Sequence, residues 1–285
     1  KRYCQVPNLG GTAVTYIPGL LNTFSIDNAL LLSEGLSARR IADASLISEF
    51  HCRPDGAGVF PKEGGGWYYV SNAECDGIEG GVGSIEFDES GEVVGYNMVA
   101  TQSSRNCGGG KTWWNTWLTC EERDGGQVWE VAPDGSFTER LTSLGGSTGG
   151  WFESAAYYRP RPYTTRIPTF YVTEDQTHGA LRRWTPSPTV VQETLACDCD
   201  YHRLLTEEGG EMHYLKLNGK STSGSFSWVS ENQREDAKND AKKYYSNSEG
   251  IDIQHGMAYI TAKVPKVLLI LDLENLTYER SSTVA

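Results

Sequence analysis

Short apolar runs that end in an acid recur along the chain: Trp67-Tyr-Tyr-Val-Ser-Asn-Ala-Glu74, Thr116-Trp-Leu-Thr-Cys-Glu-Glu122 and Phe170-Tyr-Val-Thr-Glu174-Asp175. A glycine-led strand pattern follows each one, as Gly83-Ser-Ile-Glu-Phe, Gly126-Gln-Val-Trp-Glu-Val and Gly179-Ala-Leu-Arg-Arg-Trp. Turn signals then close the units at Asp88-Glu-Ser-Gly91, Pro133-Asp-Gly135 and Thr185-Pro186. Such runs of β-branched and aromatic residues between turn signals predict strands. The acidic ends, at 74, 122 and 174, lie 48 and 52 residues apart, the length of a four-stranded propeller blade. Each unit also opens near a polar side chain, Asp55, Cys107, Glu153 or Glu249, at spacings of 52, 46 and 96 residues. The last interval is twice 48 and predicts one more blade between 153 and 249, where Met212–Leu217 supplies a strand. The expectation is an all-β fold, a six-bladed-type β-propeller with about five readable blades and a sixth falling beyond residue 285. That is an incomplete propeller in one domain over residues 1–285, with 1–50 as an N-terminal extension or edge element and 51–285 as blades.

Two stretches break the pattern. Residues 18–48 read as a loop and short helix outside the blades, or as an edge strand. Residues 231–245, with Glu, Asn, Gln, Asp and Lys throughout, predict a short polar helix on the surface. Lys266-Val-Leu-Leu-Ile-Leu-Asp-Leu273 reads as a buried strand that ends the fold.

Composition supports many short strands joined by turns, with 32 Gly, 15 Tyr and 8 Trp in 285 residues. The formal net charge of -12 repels nucleic acid and anionic membranes. It also repels a phosphate ester, so any phosphatase chemistry here needs bound cations. No apolar stretch reaches 18 residues, so no membrane insertion is expected. The chain begins at Lys1 rather than Met, which reads as a processed, trimmed or partial product. Seven cysteines leave at least one thiol outside any internal disulfide set, and no CxxC pair is present.

In a propeller the innermost strands converge on one axis, so acids at equivalent blade positions meet there. Several carboxylates in one channel push one another's pKa values up unless cations compensate. Oxygen ligands suit calcium or magnesium, and a thiolate calls for a softer or redox metal such as iron. The candidate metal ligands are Glu74, Cys107, Glu122, Glu153, Glu174, Asp175 and Glu249. Each glutamate taken alone is open to another reading, as a turn cap, an arginine partner or a strand-edge charge. The strongest local signal is Arg105-Asn-Cys-Gly-Gly-Gly-Lys111, in which three glycines let the backbone approach a ligand closely. A glycine-rich hairpin with a buried free cysteine is the alternative. Arg105 and Lys111 bring positive charge and are candidate substrate-binding residues. The P-loop spacing GxxxxGK[ST] and the GxSxG elbow are both absent. The five histidines show neither HxH nor HExxH spacing and read as packed or surface residues.

The order Tyr69-Val-Ser-Asn-Ala-Glu74, Arg105-Asn-Cys-Gly-Gly-Gly-Lys-Thr, Thr116-Trp-Leu-Thr-Cys-Glu-Glu122, Trp151-Phe-Glu-Ser-Ala-Ala156, Phe170-Tyr-Val-Thr-Glu-Asp175 and Ser248-Glu-Gly-Ile-Asp252 resembles the PhoX alkaline phosphatase family over roughly residues 50–275. The resemblance is stronger to its shorter relatives. It implies a six-bladed propeller with an axial iron and calcium site that hydrolyses phosphate monoesters outside the cytoplasm, in a secreted or periplasmic setting. It implies Cys107 as the iron ligand and Glu122, Glu153 and Glu249 as the other catalytic positions. Three motifs depart from the family pattern. Phe152 replaces the histidine before Glu153, Ala73 replaces the one before Glu74, and Asn247 replaces the arginine two residues before Glu249. The loss at Asn247 removes a charge that would hold phosphate. The functional expectation is metal-dependent phosphate monoester hydrolysis on a small substrate. The alternatives are a non-catalytic calcium-binding propeller and a calcium-dependent lactonase or phosphotriesterase.

Overall fold

The computed structural model describes residues 20–25, 30–33, 38–163, 166–206, 208–219 and 222–283. The chain divides into two compact units, residues 1–46 with 285, and residues 47–284. In the first, β1 (Leu20–Ser25) pairs antiparallel with β2 (Leu30–Ser33), and Ala44–Leu46 forms one short helical turn. The backbone there is thus a hairpin, within the stretch read as a loop and helix or edge strand.

The second unit is a run of antiparallel four-stranded meanders. The first blade is β3 (Pro54–Pro61), β4 (Trp67–Ala73), β5 (Gly81–Phe87) and β6 (Val93–Ala100). The second is β7 (Asn106–Lys111), β8 (Trp117–Gly126), β9 (Val128–Val131) and β10 (Arg140–Leu141). The third is β11 (Gly150–Tyr158), β12 (Thr169–Glu174), β13 (Arg182–Thr185) and β14 (Glu211–Gly219). β15 (Ser223–Val229) adds a further strand to β14 and pairs at its other edge with residues 277–279 of the last strand. The fourth blade is β16 (Ser248–Gln254), β17 (Met257–Ala262), β18 (Val267–Asp272) and β19 (Thr277–Ser282). The inner strands lie in sequence, with β3 against β7, β7 against β11 and β11 against β16. This is a β-propeller arc with no closed barrel among the described residues.

The count of about five blades becomes four among the described residues. Residues 186–247 hold α1 (Pro188–Cys197), β14, β15 and α2 (Arg234–Tyr244), and supply no fifth inner strand. The doubled 96-residue interval reflects an elaborated outer edge of one blade. The polar stretch does form a helix, and it is seated rather than merely solvated. Ala237 and Ala241, four residues apart and therefore on one face, are fully buried, and Asp240 accepts from the Leu217 amide at 2.9 Å.

The core is layered between blades. Phe60, Val70, Val82 and Trp117 pack between the first and second, Leu118, Phe152, Phe170 and Trp184 between the second and third. Leu215, Tyr245, Ile260, Leu269 and Leu271 form the third layer. β17 and β18 alternate buried and uncovered positions along their length. The Lys266–Leu273 run is therefore covered on one face only, and β19 follows it, so it is neither fully buried nor last.

Two buried side chains tie successive blades. Asn72 donates to the carbonyls of Cys107 and Gly108, both at 2.7 Å, and accepts from Trp117 Nε1 and Thr119 Oγ1, both at 2.9 Å. Thr173 Oγ1 donates to the Glu249 carbonyl at 2.6 Å and accepts from the Ser154 amide at 2.9 Å. A fully satisfied buried amide is costly to remove because its partners remain dry and unpaired. Asn72→Ala is expected to lower stability by about 2–4 kcal/mol, and Thr173→Val by about 1–2 kcal/mol. Urea unfolding at constant m-value checks both, and an Asn72→Ala loss below about 1 kcal/mol would refute the girder role.

Candidate metal centre

Each inner strand begins with the same local device. Pro54 pairs with Ala73, Asn106 with Glu121, Phe152 with Glu174 and Ser248 with Ala262. Pairing resumes at Ala57–Ser71, Gly109–Thr119, Ala155–Val172 and Ile251–Ile260. In every blade the first strand spends three residues where the second spends two, which is a β-bulge. A bulge re-aims the side chain it carries. Here it carries Asp55, Cys107, Glu153 and Glu249. One residue past each pairing, on the second strand, stand Glu74, Glu122, Asp175 and Lys263. Their amides donate to the carbonyls of Arg53, Arg105, Trp151 and Asn247 at 3.1, 2.9, 2.8 and 3.0 Å. Arg53, Arg105 and Asn247 take left-handed backbone, with φ of 39°, 50° and 56°.

These eight positions converge. Donor atoms of Asp55, Cys107 and Glu153 lie within 4.8 Å of one another, as do those of Glu74, Cys107 and Glu122, and those of Glu122, Glu153 and Asp175. The three groups share Cys107, Glu122 and Glu153 and so form one cluster. Glu249 joins it through Lys263, whose ammonium pairs with Glu249 Oε1 at 2.8 Å and also with Asp175. Arg105 stands at the rim. Its Nε donates to the Glu122 carbonyl at 2.9 Å, and its Nη atoms lie 3.5 Å from Glu74, 3.7 Å from Asp76 and 3.8 Å from Glu122. The Trp151 ring lies 6.0 Å from its guanidinium carbon. Asn247 Nδ2 donates to Asp175 Oδ1 at 2.8 Å.

Crowding sets the electrostatics. Burial, followed by the charges of Glu249, Glu122 and Asp55, pushes the Glu153 carboxyl up to about 8, against a lowering hydrogen bond from Cys107. Burial and a hydrogen bond shared with Asp175 push Glu122 up to about 7. Burial and the neighbouring Glu153 raise the Cys107 thiol. Removing carboxylates from water and setting them side by side disfavours their charged forms unless cations answer them. The donor set fits metal ions: one thiol beside carboxylates at Cys107, and oxygen donors alone at Glu122, Glu153 and Asp175.

The geometry gathers Glu74, Cys107, Glu122, Glu153 and Asp175 in the cluster, with Glu249 beside it. Two expectations are corrected. Glu174 is the register counterpart of Glu121, not of Glu122, and it faces Arg182 at 3.4 Å. Lys111 lies at the far end of β7, where its Nζ donates to the Val59 carbonyl at 2.6 Å over the Phe60 ring. The role of the glycine run also differs. A Cβ on Gly108 would sit 2.1 Å from the Glu153 carbonyl oxygen, and one on Gly110 would sit 1.9 Å from that of Ala155. These glycines admit the next blade's backbone rather than a ligand. Glu121, the other acid of the Cys-Glu-Glu motif, is buried and saturated by the Ser104 and Gln127 amides, Trp129 and Arg123. Sequence reading did not include Asp55 among the ligands, although its 52-residue offset from Cys107 was a usable signal. It missed Lys263 altogether, because that position is equivalent to Glu122 only through strand register.

The described cysteines form two disulfides, Cys52–Cys75 and Cys197–Cys199, and leave Cys107 and Cys120 as buried thiols. Among the described residues no helix is long and apolar enough to cross a membrane.

No family model matches the chain, and no curated protein matches it. Among solved structures it is similar to Pseudomonas fluorescens PhoX in complex with vanadate, a transition-state analogue, with a TM-score of 0.57 at 14% identity. That match covers 81% of this chain, which spans 66% of the PhoX chain. A nidogen/laminin complex matches at TM-score 0.35 and 10% identity over 80% of each chain. A candidate 6-phosphogluconolactonase from Bacteroides uniformis matches at 0.31 and 9%, over 79% of this chain and 83% of that one. The first likeness carries the fold, which is PhoX-like.

The raised carboxyls of Glu122 and Glu153 set a direction for stability. Their folded-state values lie above the ordinary 4.5, so their contribution is full below that pH and is lost as pH rises through 7 to 8. The melting temperature of chelator-treated protein is expected to fall between pH 5 and pH 8.5. Glu153→Gln is expected to recover at least about 1 kcal/mol at the upper end, or about 2–4 °C. A metal-free protein whose melting temperature rises over that range would contradict the crowded-carboxylate description.

Proposed function

We propose that the chain is a metal-dependent hydrolase of phosphate monoesters, working at the ring of Asp55, Glu74, Cys107, Glu122, Glu153, Asp175 and Glu249. The observation that carries the reading is the four-fold bulge, which brings six carboxylates and one thiol to one place beside Arg105. Cys107 with Asp55 and Glu153 would hold iron, and Glu74 and Glu122 would hold calcium. When bound, such cations supply Lewis acidity toward phosphoryl oxygens and offset the net negative field of the site. The likeness to PhoX, solved in complex with vanadate, a transition-state analogue, supports this substrate class.

The chain's own residues have separable tasks. Arg105 is anchored through Nε to the Glu122 carbonyl, and its Nη atoms, loosely paired at 3.5–3.8 Å with Glu74, Asp76 and Glu122, would exchange those contacts for phosphoryl oxygens. Trp151 stands beside the guanidinium and limits its swing and its exposure to water. Asn247 is spent on Asp175, so the grip on phosphate rests with Arg105. The disulfides support an extracytoplasmic setting.

The commitment of Asn247 to Asp175 also favours a second reading, a propeller that binds calcium for rigidity and does no chemistry. Turnover of p-nitrophenyl phosphate separates the two. Protein loaded with iron and calcium is expected to release p-nitrophenol, to stop on chelation, and to lose at least about 100-fold in kcat/KM on Arg105→Ala. Cys107→Ser is expected to lose its iron by elemental analysis while retaining calcium. Metal-loaded protein without turnover would leave the calcium-binding reading standing.

A further inference from the structure

The bulge device places an acid at Glu74, Glu122 and Asp175 in three blades and Lys263 in the fourth. The ammonium is held inside the device rather than beside it. The Lys263 amide makes the same backbone hydrogen bond as its acidic counterparts, to the Asn247 carbonyl at 3.0 Å. Its Nζ reaches Glu249 Oε1 at 2.8 Å and pairs with Asp175 Oδ2. The Lys263 side chain is 54% exposed along its length, whereas the Asp175 side chain is only 7% exposed, so the charge is delivered to an acid water barely reaches. The other Asp175 oxygen accepts from Asn247 at 2.8 Å, and the Glu249 carbonyl accepts from Thr173 at 2.6 Å. Both acids are therefore fixed in place by chain-borne donors. On the opposite side, Arg105 is the cation that pairs with Glu74 and Glu122 among the described residues.

We infer that Lys263 is a built-in counter-cation, occupying with its ammonium the place where the fourth blade would otherwise help to bind a metal ion. It takes Asp175 and Glu249 out of metal ligation and confines bound cations to the Asp55–Cys107–Glu153 and Glu74–Cys107–Glu122 groups. A tethered cation keeps its place without any ion in solution, and it repels a second positive charge set against the same two carboxylates. Lys263 is thus a positioning residue that fixes how many metal ions the ring holds. The inference rests on the metal-centre reading above, and its test is separate from turnover.

The probe is calcium alone, added to chelator-stripped protein and counted per chain by calorimetric titration and elemental analysis after gel filtration. Lys263→Met is expected to bind one calcium more than wild type, and Lys263→Arg to keep the wild-type count. In the metal-free state Lys263→Met is expected to unfold at lower denaturant than wild type. Adding Glu249→Gln to it is expected to recover at least half of that loss, a coupling that loss of packing alone does not produce. Equal calcium counts in wild type and Lys263→Met, whatever that number, overturn the counter-cation. Should wild type bind none while Lys263→Met binds one, the counter-cation stands and the metal-dependent reading of the wild-type ring falls. If Lys263→Met does not fold without metal, its rescue by Glu249→Gln upholds the inference, and absence of rescue overturns it.

Discussion

Four backbone hydrogen bonds, from the amides of Glu74, Glu122, Asp175 and Lys263 to the carbonyls of Arg53, Arg105, Trp151 and Asn247, hold this molecule's chemistry in place. They lock the bulge at the start of each inner strand and so decide which side chain turns toward its neighbours. A second set links the blades at the same level. The Arg105 amide donates to the Cys75 carbonyl at 2.7 Å, and the Asn247 amide donates to that of Gln176 at 3.0 Å. Neither set depends on side-chain identity, which explains how one backbone device carries Asp55, Cys107, Glu153 and Glu249 alike. Function here is variation in side chain on a repeated scaffold.

The scaffold creates a charge problem in the act of building the site. Among the described residues, six carboxylates meet with two chain-borne cations, Arg105 and Lys263. The protein answers the imbalance differently on its two sides. Around Asp175 and Glu249 the answer is covalent to the chain. Around Glu122 and Glu153 it is a pair of carboxyls raised toward neutrality by burial and by neighbouring acids. A thiol rather than another acid at position 107 lowers the charge that must be answered there and gives that half of the ring a softer donor.

Much of this was legible in the sequence, and what was not has identifiable causes. The blade length, the acid-ended strands and Cys107 were readable because they repeat at fixed offsets. The fifth blade was misread because the helices and the extra strand β15 that lie between β13 and β16 happen to restore a doubled interval. Glu174 was taken for a ligand because two adjacent acids, Glu174 and Asp175, end the run, and a one-residue shift in register exchanges inward for outward. Lys111 was drawn in by its place beside the Cys-Gly-Gly-Gly run. A strand, however, separates its two ends by its full length, and Lys111 stands at the wrong end. Lys263 carried no signal, since charge reversal at an equivalent position becomes visible only once strands are paired.

The first blade shows what the site demands of its surroundings. Asp55 and Glu74 sit between Cys52 and Cys75, so the disulfide closes the two chain segments that deliver both carboxylates. The next blade holds the same segments by Arg105 to the Cys75 carbonyl, and Asn72 spends its whole amide on β7 and β8. Like charges brought together oppose folding, and exclusion of water sharpens the opposition. A covalent link and a saturated buried amide are the two restraints that do not weaken when the carboxylates ionise. Placed around Asp55 and Glu74, they hold two acids of the candidate cation site at their positions whatever charge their neighbours carry.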